Sequence, residues 1–415
     1  MASSKPNYTD RGSRISKENL CMVIALWMGE RQLQSEEDDS YHKVGAVLVR
    51  PDEIIHTVDC SRDGVHGIAR LMIKHYDVAK DCKVFVSRKP CSFCTKLLVQ
   101  SQVKRVFYLP IKPEYKAEEK LKEEMSRVDN LFKTSCISQS VFVPKVGKEV
   151  FANAEKLKET PKDIRDSIKN ERFAQYWIED WMEKAKTHLP WPAFDDNMKQ
   201  QVRDDFEETM EWMARILIGV EKGYTVKQIN ATSKNGTVSF DPQRNELHKT
   251  ASLRFITLAQ FLAERSDDPK TGVGAVIINE SQEILALGWN GFPTKALYGE
   301  FPRASHDDNA EDKKYPYMIH AEQNALLMRN TKSLTHGILF VTKTPCDECT
   351  PLIEMEGIKT VILGQKLKIE RGTDGTLSYS KFAEKVKGGV FNCFEMEITE
   401  NKPPPEKAVQ NLSQM

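Results

Sequence analysis

The sequence predicts two α/β domains in tandem, each a mixed sheet with helices packed against it, joined by a helical connector. Three observations predict this. Short apolar runs alternate with helical stretches, the alternation occurs twice in the same order, and its flanking segments recur in register. Val44-Gly45-Ala46-Val47 returns as Val273-Gly274-Ala275-Val276, and Val103-Lys104-Arg105-Val106 returns as Ile358-Lys359-Thr360-Val361.

The first fifteen or so residues are polar and are expected to be disordered. Leu20 to Met28 reads as a helix and the acidic stretch Glu36 to Asp39 as a loop. Val44–Val49 and Ile54–Val58 are apolar runs split by Pro51-Asp52, which marks a hairpin. His66–His75 reads as a helix, Lys83–Ser87 as a strand, Cys91–Gln100 as a helix and Val103–Tyr108 as a strand. The same order recurs between Leu253 and Leu363. Between the copies, from about Asp163 to Gly223, Trp177, Trp181, Phe206, Trp212, Ile216 and Val220 fall at helical spacings amid charge, interrupted by Leu189-Pro190-Trp191-Pro192. We read a helical connector whose aromatic stripe packs onto a lobe or a neighbouring subunit. Domain limits follow: a disordered start (1–15), a first lobe (16–150), the connector (151–250), a second lobe (251–399) and a proline-bearing disordered tail (400–415).

Composition narrows the function classes. Among 415 residues, 60 Lys and Arg balance 60 Asp and Glu, which removes the broad cationic footprint of a protein that tracks a long nucleic acid. A local cationic pocket for one nucleotide is still allowed. Of nine cysteines, four form two Cys-x-x-Cys pairs and five are single, which suits metal ligation in a reducing compartment better than a disulfide framework. No signal pattern and no bilayer-length apolar run is present, so an intracellular protein of the cytoplasm or nucleus is expected, with no membrane partner.

The chemistry concentrates in His320-Ala321-Glu322 and Pro345-Cys346-Asp347-Glu348-Cys349. One imidazole and two thiolates can hold Zn²⁺ with a fourth position left open, while the neighbouring glutamate moves protons. Coordination lowers the pKa of water from ~15.7 to about 7, enough to make it a nucleophile toward an aromatic carbon. The pattern is the signature of zinc-dependent nucleobase deaminases. Upstream, His66-Gly67-Ile68 and Pro90-Cys91-Ser92-Phe93-Cys94 repeat it with Ile68 where Glu322 stands. The histidine-to-cysteine separation is 25 positions in one copy and 26 in the other. His66, Cys91 and Cys94 are therefore expected to bind a second zinc without turnover. Isoleucine transfers no proton, and no nearby carboxylate stands at a spacing that would replace the glutamate.

A second difference separates the copies. Gly45 to His66 spans 21 positions and Gly274 to His320 spans 46, so the downstream copy carries about 25 extra residues ahead of its histidine. An insertion there is where selectivity is expected. It offers the Asn290 amide for sugar hydroxyls, the Tyr315 and Tyr317 rings for a base, and Lys295, Arg303, Lys313 and Lys314 for phosphate. Arg303 is the preferred contact because a guanidinium matches phosphate geometry.

These residues resemble the deoxycytidylate deaminase family. The resemblance runs through Arg265-Ser266-Asp267-Asp268-Pro269, Gly288-Trp289-Asn290-Gly291, Tyr315-Pro316-Tyr317, and both halves of the metal motif. It implies the cytidine-deaminase fold, three layers of α/β/α in each lobe, one catalytic zinc per active lobe, and deoxynucleotide substrates. It also implies contact of Asn290 with the sugar and of the Ala321 backbone with the base, and a homo-oligomer, trimeric or hexameric. The tandem branch of the family is similar in Ser87-Arg88-Lys89-Pro90-Cys91, in the missing glutamate, and in Lys270-Thr271-Gly272-Val273, where Lys270 is expected to face substrate. That likeness implies deamination of free dCTP to dUTP, with Mg²⁺ on the triphosphate. The alternatives are dCMP to dUMP deamination, a tRNA or polynucleotide deaminase, and a regulatory pseudoenzyme. Trp289 departs from the tyrosine common in the family.

Overall fold

The computed structural model describes residues 14–30, 41–148, 150, 195–221, 224–229, 239–268, 271–293, 301, 314–370 and 377–398. Lys17–Glu30 forms α1, in which every residue from Leu20 to Met28 is buried. A helix that is apolar all round has no solvent face and becomes a core element. It lies on β1 (Gly45–Val49), which pairs antiparallel with β2 (Ile55–Cys60) on one side and with β3 (Lys83–Val86) on the other. β3, β4 (Arg105–Tyr108) and β5 (Ser138–Val141) run parallel. The helix α2 (Gly67–Lys74) links β2 to β3, while α3 (Ser92–Gln100) and α4 (Glu118–Lys133) make the two parallel crossovers.

The connector supplies α5 (Asp196–Glu221) and β6 (Tyr224–Ile229). The carboxy lobe then repeats the amino lobe through α6 (Glu246–Ala263), β7 (Gly274–Ile278), β8 (Ile284–Trp289), α7 (Ala321–Leu327), β9 (Ile338–Val341), α8 (Cys349–Met355), β10 (Thr360–Leu363), α9 (Ser380–Lys387) and β11 (Asn392–Ile398). Strand order is β2-β1-β3-β4-β5 in one sheet and β8-β7-β9-β10-β11 in the other, where β6 adds antiparallel to β11. The duplication reaches into details. The first hairpin shifts register at Leu48/Val49 in one lobe and at Ile277/Ile278 in the other. The Gly45 N–H donates to Ser87 Oγ at 3.1 Å, and the Gly274 N–H donates to Thr342 Oγ1 at 3.2 Å. Connector residues thus extend the second sheet, which the sequence reading did not foresee.

Alternation along each strand sends side chains to opposite faces. Val47 and Val49 join α1, α5 and α6 in one core that also takes in Val276, Ile278 and Phe340 from the other lobe. Ala46 and Leu48 face the opposite side, with Cys91 and Cys94, and Ala275 and Ile277 do the same with Cys346 and Cys349. Each lobe is therefore a three-layer α/β/α unit, and the inner helix layer is shared. Trp27 of α1 meets Phe261 of α6 edge-on at 6.0 Å, and Trp212 of α5 lies 5.7 Å from the same ring. Phe206, Trp212 and Ile216 are buried, so this part of the stripe packs on the lobes. Trp177, Trp181, Leu189–Pro192, the Glu36–Asp39 stretch and the tail lie outside the described residues, as do residues 1–13 and the side chain of Val220.

The lobes also touch edge to edge. Asn330 Nδ2 donates to Ile284 O at 2.8 Å and to His56 O at 3.3 Å, and Lys74 Nζ bonds Glu283 at 2.5 Å. Burial lowers the pKa of His56 to about 4, and it lowers that of His75, whose Nδ1 lies 3.3 Å from His56 Nε2. Below pH 6.5 a proton enters the unfolded His56 imidazole, but it enters the folded one only near pH 4, so stability present at neutral pH is lost as the pH falls through that window. At pH 5 the loss from His56 is expected to be about 1–2 kcal/mol after solvent screening. Urea unfolding at pH 7 and pH 5 checks this: His56→Gln should narrow the gap between the two curves, and an unchanged gap refutes it.

Candidate active site

Two surfaces meet at the site, the start of α7 and the turn before α8. His320 is the N-cap of α7, and its own N–H donates to Gln323 Oε1 at 2.9 Å, which closes a capping box and fixes the entry angle of the chain. Glu322 follows in the first turn and is 5% exposed. Gly288 lets α7 lie on β8, because a Cβ there would meet Ala321 O at 2.3 Å. Cys346 stands three residues ahead of α8, accepting the Thr350 N–H at 3.0 Å through its carbonyl, and Cys349 is the first helical residue. The helix thus opens at the second cysteine of the pair.

These elements bring the predicted ligands together. His320 Nδ1 lies 3.1 Å from Cys346 Sγ and 3.3 Å from Cys349 Sγ. A tetrahedral Zn²⁺ with Zn–S of ~2.3 Å and Zn–N of ~2.0 Å needs ligand atoms about 3.5–3.8 Å apart, a few tenths of an ångström more than these contacts. The donor set therefore fits zinc with little movement. The hydrogen bond from the Cys349 thiol holds Cys346 down at about 4 against the opposing effect of burial, and that same bond with burial pushes Cys349 well up. Burial alone would lower His320, but the hydrogen bond and charge of Cys346 raise it to about 9. Burial pushes Glu322 up to about 7, opposed by the charge of His320.

The base of the insertion is pinched shut. Gly291 and Ile319 exchange two backbone hydrogen bonds of 3.0 and 2.9 Å across an isolated bridge. Phe292, Phe301 and Tyr317 then form a line of rings, 5.4 and 5.5 Å between centroids, and Tyr317 is 40% exposed. Tyr315 sits partly buried with the Lys314 ammonium 5.7 Å from its ring centre. Asn290 is buried and holds the neighbouring loop, accepting the Val273 N–H at 2.7 Å and donating to Thr271 O at 2.9 Å. Lys314, expected as a phosphate contact, is buried and paired with Asp268, so its charge is spent inside the protein. Lys270, Lys295, Arg303 and Lys313 lie outside the described residues.

Two further groups come to the two metal-type clusters that no spacing announced. Tyr379, ahead of α9, lies near enough to feel the charges of Cys346 and Glu322, and burial raises its hydroxyl to about 12. In the amino lobe, Glu114 joins His66, Cys91 and Cys94, with Oε1 2.8 Å from His66 Nδ1. This carboxylate stands at no spacing that would replace the missing glutamate, and the sequence reading did not single it out. Glu114 is 48 positions from His66, and only the turn after β4 carries it back to the cluster. His66 Nδ1 lies 3.5 and 3.3 Å from the Cys91 and Cys94 sulfurs, and hydrogen bonding of its ring to Cys91 and to Glu114, which accept, raises it to about 10 against burial. Among the described residues, these are the two His/Cys groups that could hold a metal ion. No helix there is long and apolar enough to cross a membrane.

Known proteins resemble this chain. A protein of zebrafish (Danio rerio), cytidine and dCMP deaminase domain-containing protein 1, is 27% identical over 85% of this chain and 84% of its own length. The deoxycytidylate deaminase of Pongo abelii is 39% identical over 108 residues, 26% of this chain, and the chain spans 61% of that relative's length. A solved dCMP deaminase of cyanophage S-TIM5, in complex with dCMP and dUMP, covers 37% of this chain and 98% of its own at 24% identity and a TM-score of 0.28, an overlap too loose to inform the site. The profile of the cytidine and deoxycytidylate deaminase zinc-binding region matches residues 17–110 and 249–365, one stretch in each lobe and together just over half of the chain. On that match, and with a His/Cys/Cys cluster at the same place in both lobes, the chain belongs to the cytidine and deoxycytidylate deaminase zinc-binding family.

Proposed function

We propose that this protein is a zinc-dependent hydrolase of free deoxycytidine nucleotides, converting dCTP and water to dUTP and ammonia, with dCMP to dUMP as the alternative. The observation that carries the reading is a buried carboxyl group, Glu322, two residues from His320 and against the two cysteines. Zinc, when bound by His320, Cys346 and Cys349, supplies the Lewis acidity that makes water a nucleophile near neutral pH. Glu322 does the proton work. It accepts one proton from the attacking water and delivers it to the ring nitrogen beside the attacked carbon, then takes the remaining hydroxyl proton of the adduct and gives it to the departing amine, which leaves as ammonia. A carboxyl group with a pKa near 7 is suited to both giving and taking.

The substrate contacts are proposed from residues around this point. The Ala321 backbone would face the base and Tyr315 and Tyr317 would flank it. The Asn290 Oδ1 keeps a lone pair for a sugar hydroxyl beside the Val273 N–H it already accepts. Lys270 and Arg303 would meet phosphates, with Mg²⁺ on a triphosphate. We assign residues 16–150 to a lobe that holds a second zinc without turnover, 151–250 to the connector and 251–399 to the catalytic lobe. Assembly into a trimer or hexamer completes the proposal. The named deoxycytidylate deaminases support a cytosine nucleotide, and the tandem arrangement supports the triphosphate.

Purified protein offered dCTP, dCMP, deoxycytidine, tRNA and single-stranded DNA tests the reading. Ammonia release and the uracil product are expected with dCTP, at a kcat/KM about tenfold or more above dCMP, the value of roughly 1.4 kcal/mol of added phosphate binding. A preference for dCMP removes the triphosphate assignment. Turnover of a polynucleotide alone, or of nothing, removes the whole.

A further inference from the structure

Glu114 is the fourth member of the amino-lobe cluster, where the carboxy-lobe cluster has three. The loop after β4 carries it into the amino-lobe cluster, and its residue is fully buried. Backbone bonds hold the loop: the Glu114 N–H donates to Lys89 O at 2.9 Å and its carbonyl accepts the His42 N–H at 2.6 Å. Its two carboxylate oxygens have different tasks. Oε2 accepts the Cys91 N–H at 2.9 Å and is anchored. Oε1 points into the cluster, 2.8 Å from His66 Nδ1 and 3.6 Å from Cys94 Sγ.

We infer that the amino lobe holds a closed, four-ligand zinc site of His66, Cys91, Cys94 and Glu114. This rests on the proposed second zinc and goes beyond it by naming the ligand that shuts the site. Zinc sites with four protein ligands are structural, whereas catalytic ones keep a position for water or substrate. Oε1 supplies the fourth oxygen, and all four ligand atoms already lie within 4.8 Å of one another. Aromatic rings cover the same place: Tyr41 and Phe93 pack on His66 at 4.5 and 5.5 Å.

The other lobe shows the reverse arrangement. Val86 pairs with Tyr108 as Val341 pairs with Leu363, so the strand ends correspond. Glu114 stands six positions beyond the first end; six beyond the second stands Ile369, which is 63% exposed. One lobe has its carboxylate on the helix and isoleucine on the loop, and the other has isoleucine on the helix and its carboxylate on the loop. The amino lobe thus loses turnover for two reasons, the absent proton carrier at Ile68 and the filled position on the metal. Restoring Ile68→Glu alone leaves the second reason in place.

The test uses the full chain loaded with zinc. Anomalous diffraction at the zinc edge should find two ions, with Glu114 Oε1 about 2.0–2.2 Å from the one in the amino lobe. Zinc release to a chelating dye should show two phases, and Glu114→Gln should speed only one of them, about 10–100-fold or more. Glutamine keeps an oxygen for the Cys91 N–H, so the loop anchor survives. A water in place of Oε1, or a release rate untouched by Glu114→Gln, overturns the closed site while leaving the second zinc standing. A single zinc per chain overturns both, and deamination at Glu322 is unaffected in either case. If the variant fails to fold, the map of the unaltered protein still decides.

Discussion

Glu322→Gln is expected to lower kcat by about 10⁴-fold or more while leaving zinc content and melting temperature close to those of the unaltered chain. General acid–base catalysis is typically worth 10²–10⁴-fold, and in the proposed reaction one carboxyl group serves water activation, ring protonation and amine departure in turn. Glutamine has the same shape and no transferable proton. Its neutrality costs little in the fold, because burial already pulls the Glu322 carboxyl toward its uncharged form, with a pKa raised to about 7. Following the uracil product alongside metal analysis separates the outcomes. Unreduced ammonia release would remove Glu322 from the reaction, and lost zinc would make it a structural support for His320 instead.

The second large effect is expected from one added methyl group. At Gly274 a Cβ would stand 1.8 Å from Ala259 O and 3.0 Å from Ala263 N, both backbone atoms of α6. No rotamer change relieves a clash with backbone, so helix and strand must part. Gly274→Ala is expected to cost about 3 kcal/mol or more, seen as a large fall in melting temperature or as insoluble protein. Gly45→Ala should behave alike, since its Cβ would meet Ala25 O at 2.1 Å. Gly388→Ala is the control: its Cβ would stand 3.3 Å from Glu384 O, a close contact that a shift of a few tenths of an ångström relieves, at a φ of −76°, and its effect should stay within about 1 kcal/mol. A Gly274→Ala protein that melts like the control would refute the close approach.

Both glycines belong to the segment whose recurrence announces the duplication. The repeat is legible in the chain because Val-Gly-Ala-Val is local. Its cause is not local, since the carbonyl that forbids a side chain belongs to a helix that precedes the strand by more than ten residues. The metal motifs divide in the same way. His320 with Glu322, and Cys346 with Cys349, can be read because helical spacing presents each pair from one short stretch. Tyr379 and Glu114 escape, as each arrives from a loop beyond the next strand with no fixed spacing to its partners. Lys314 shows the converse. Its charge in an exposed-looking insertion suggests phosphate, and pairing with Asp268 in the interior takes that charge away.

Periodicity and short spacings in this chain were enough to identify two related α/β lobes, a zinc-type donor set in each, and a glutamate beside one set where the other has isoleucine. Folding added the shared helix layer that makes one core of two lobes, the edge strand lent by the connector, and the carboxylate on the amino-lobe cluster. The physical reason is range. Strand alternation, helix capping and ligand spacing act over a few residues and leave a mark in the order of the chain. Burial and closure depend on which distant loop returns to the same place, and a linear sequence carries no such distance.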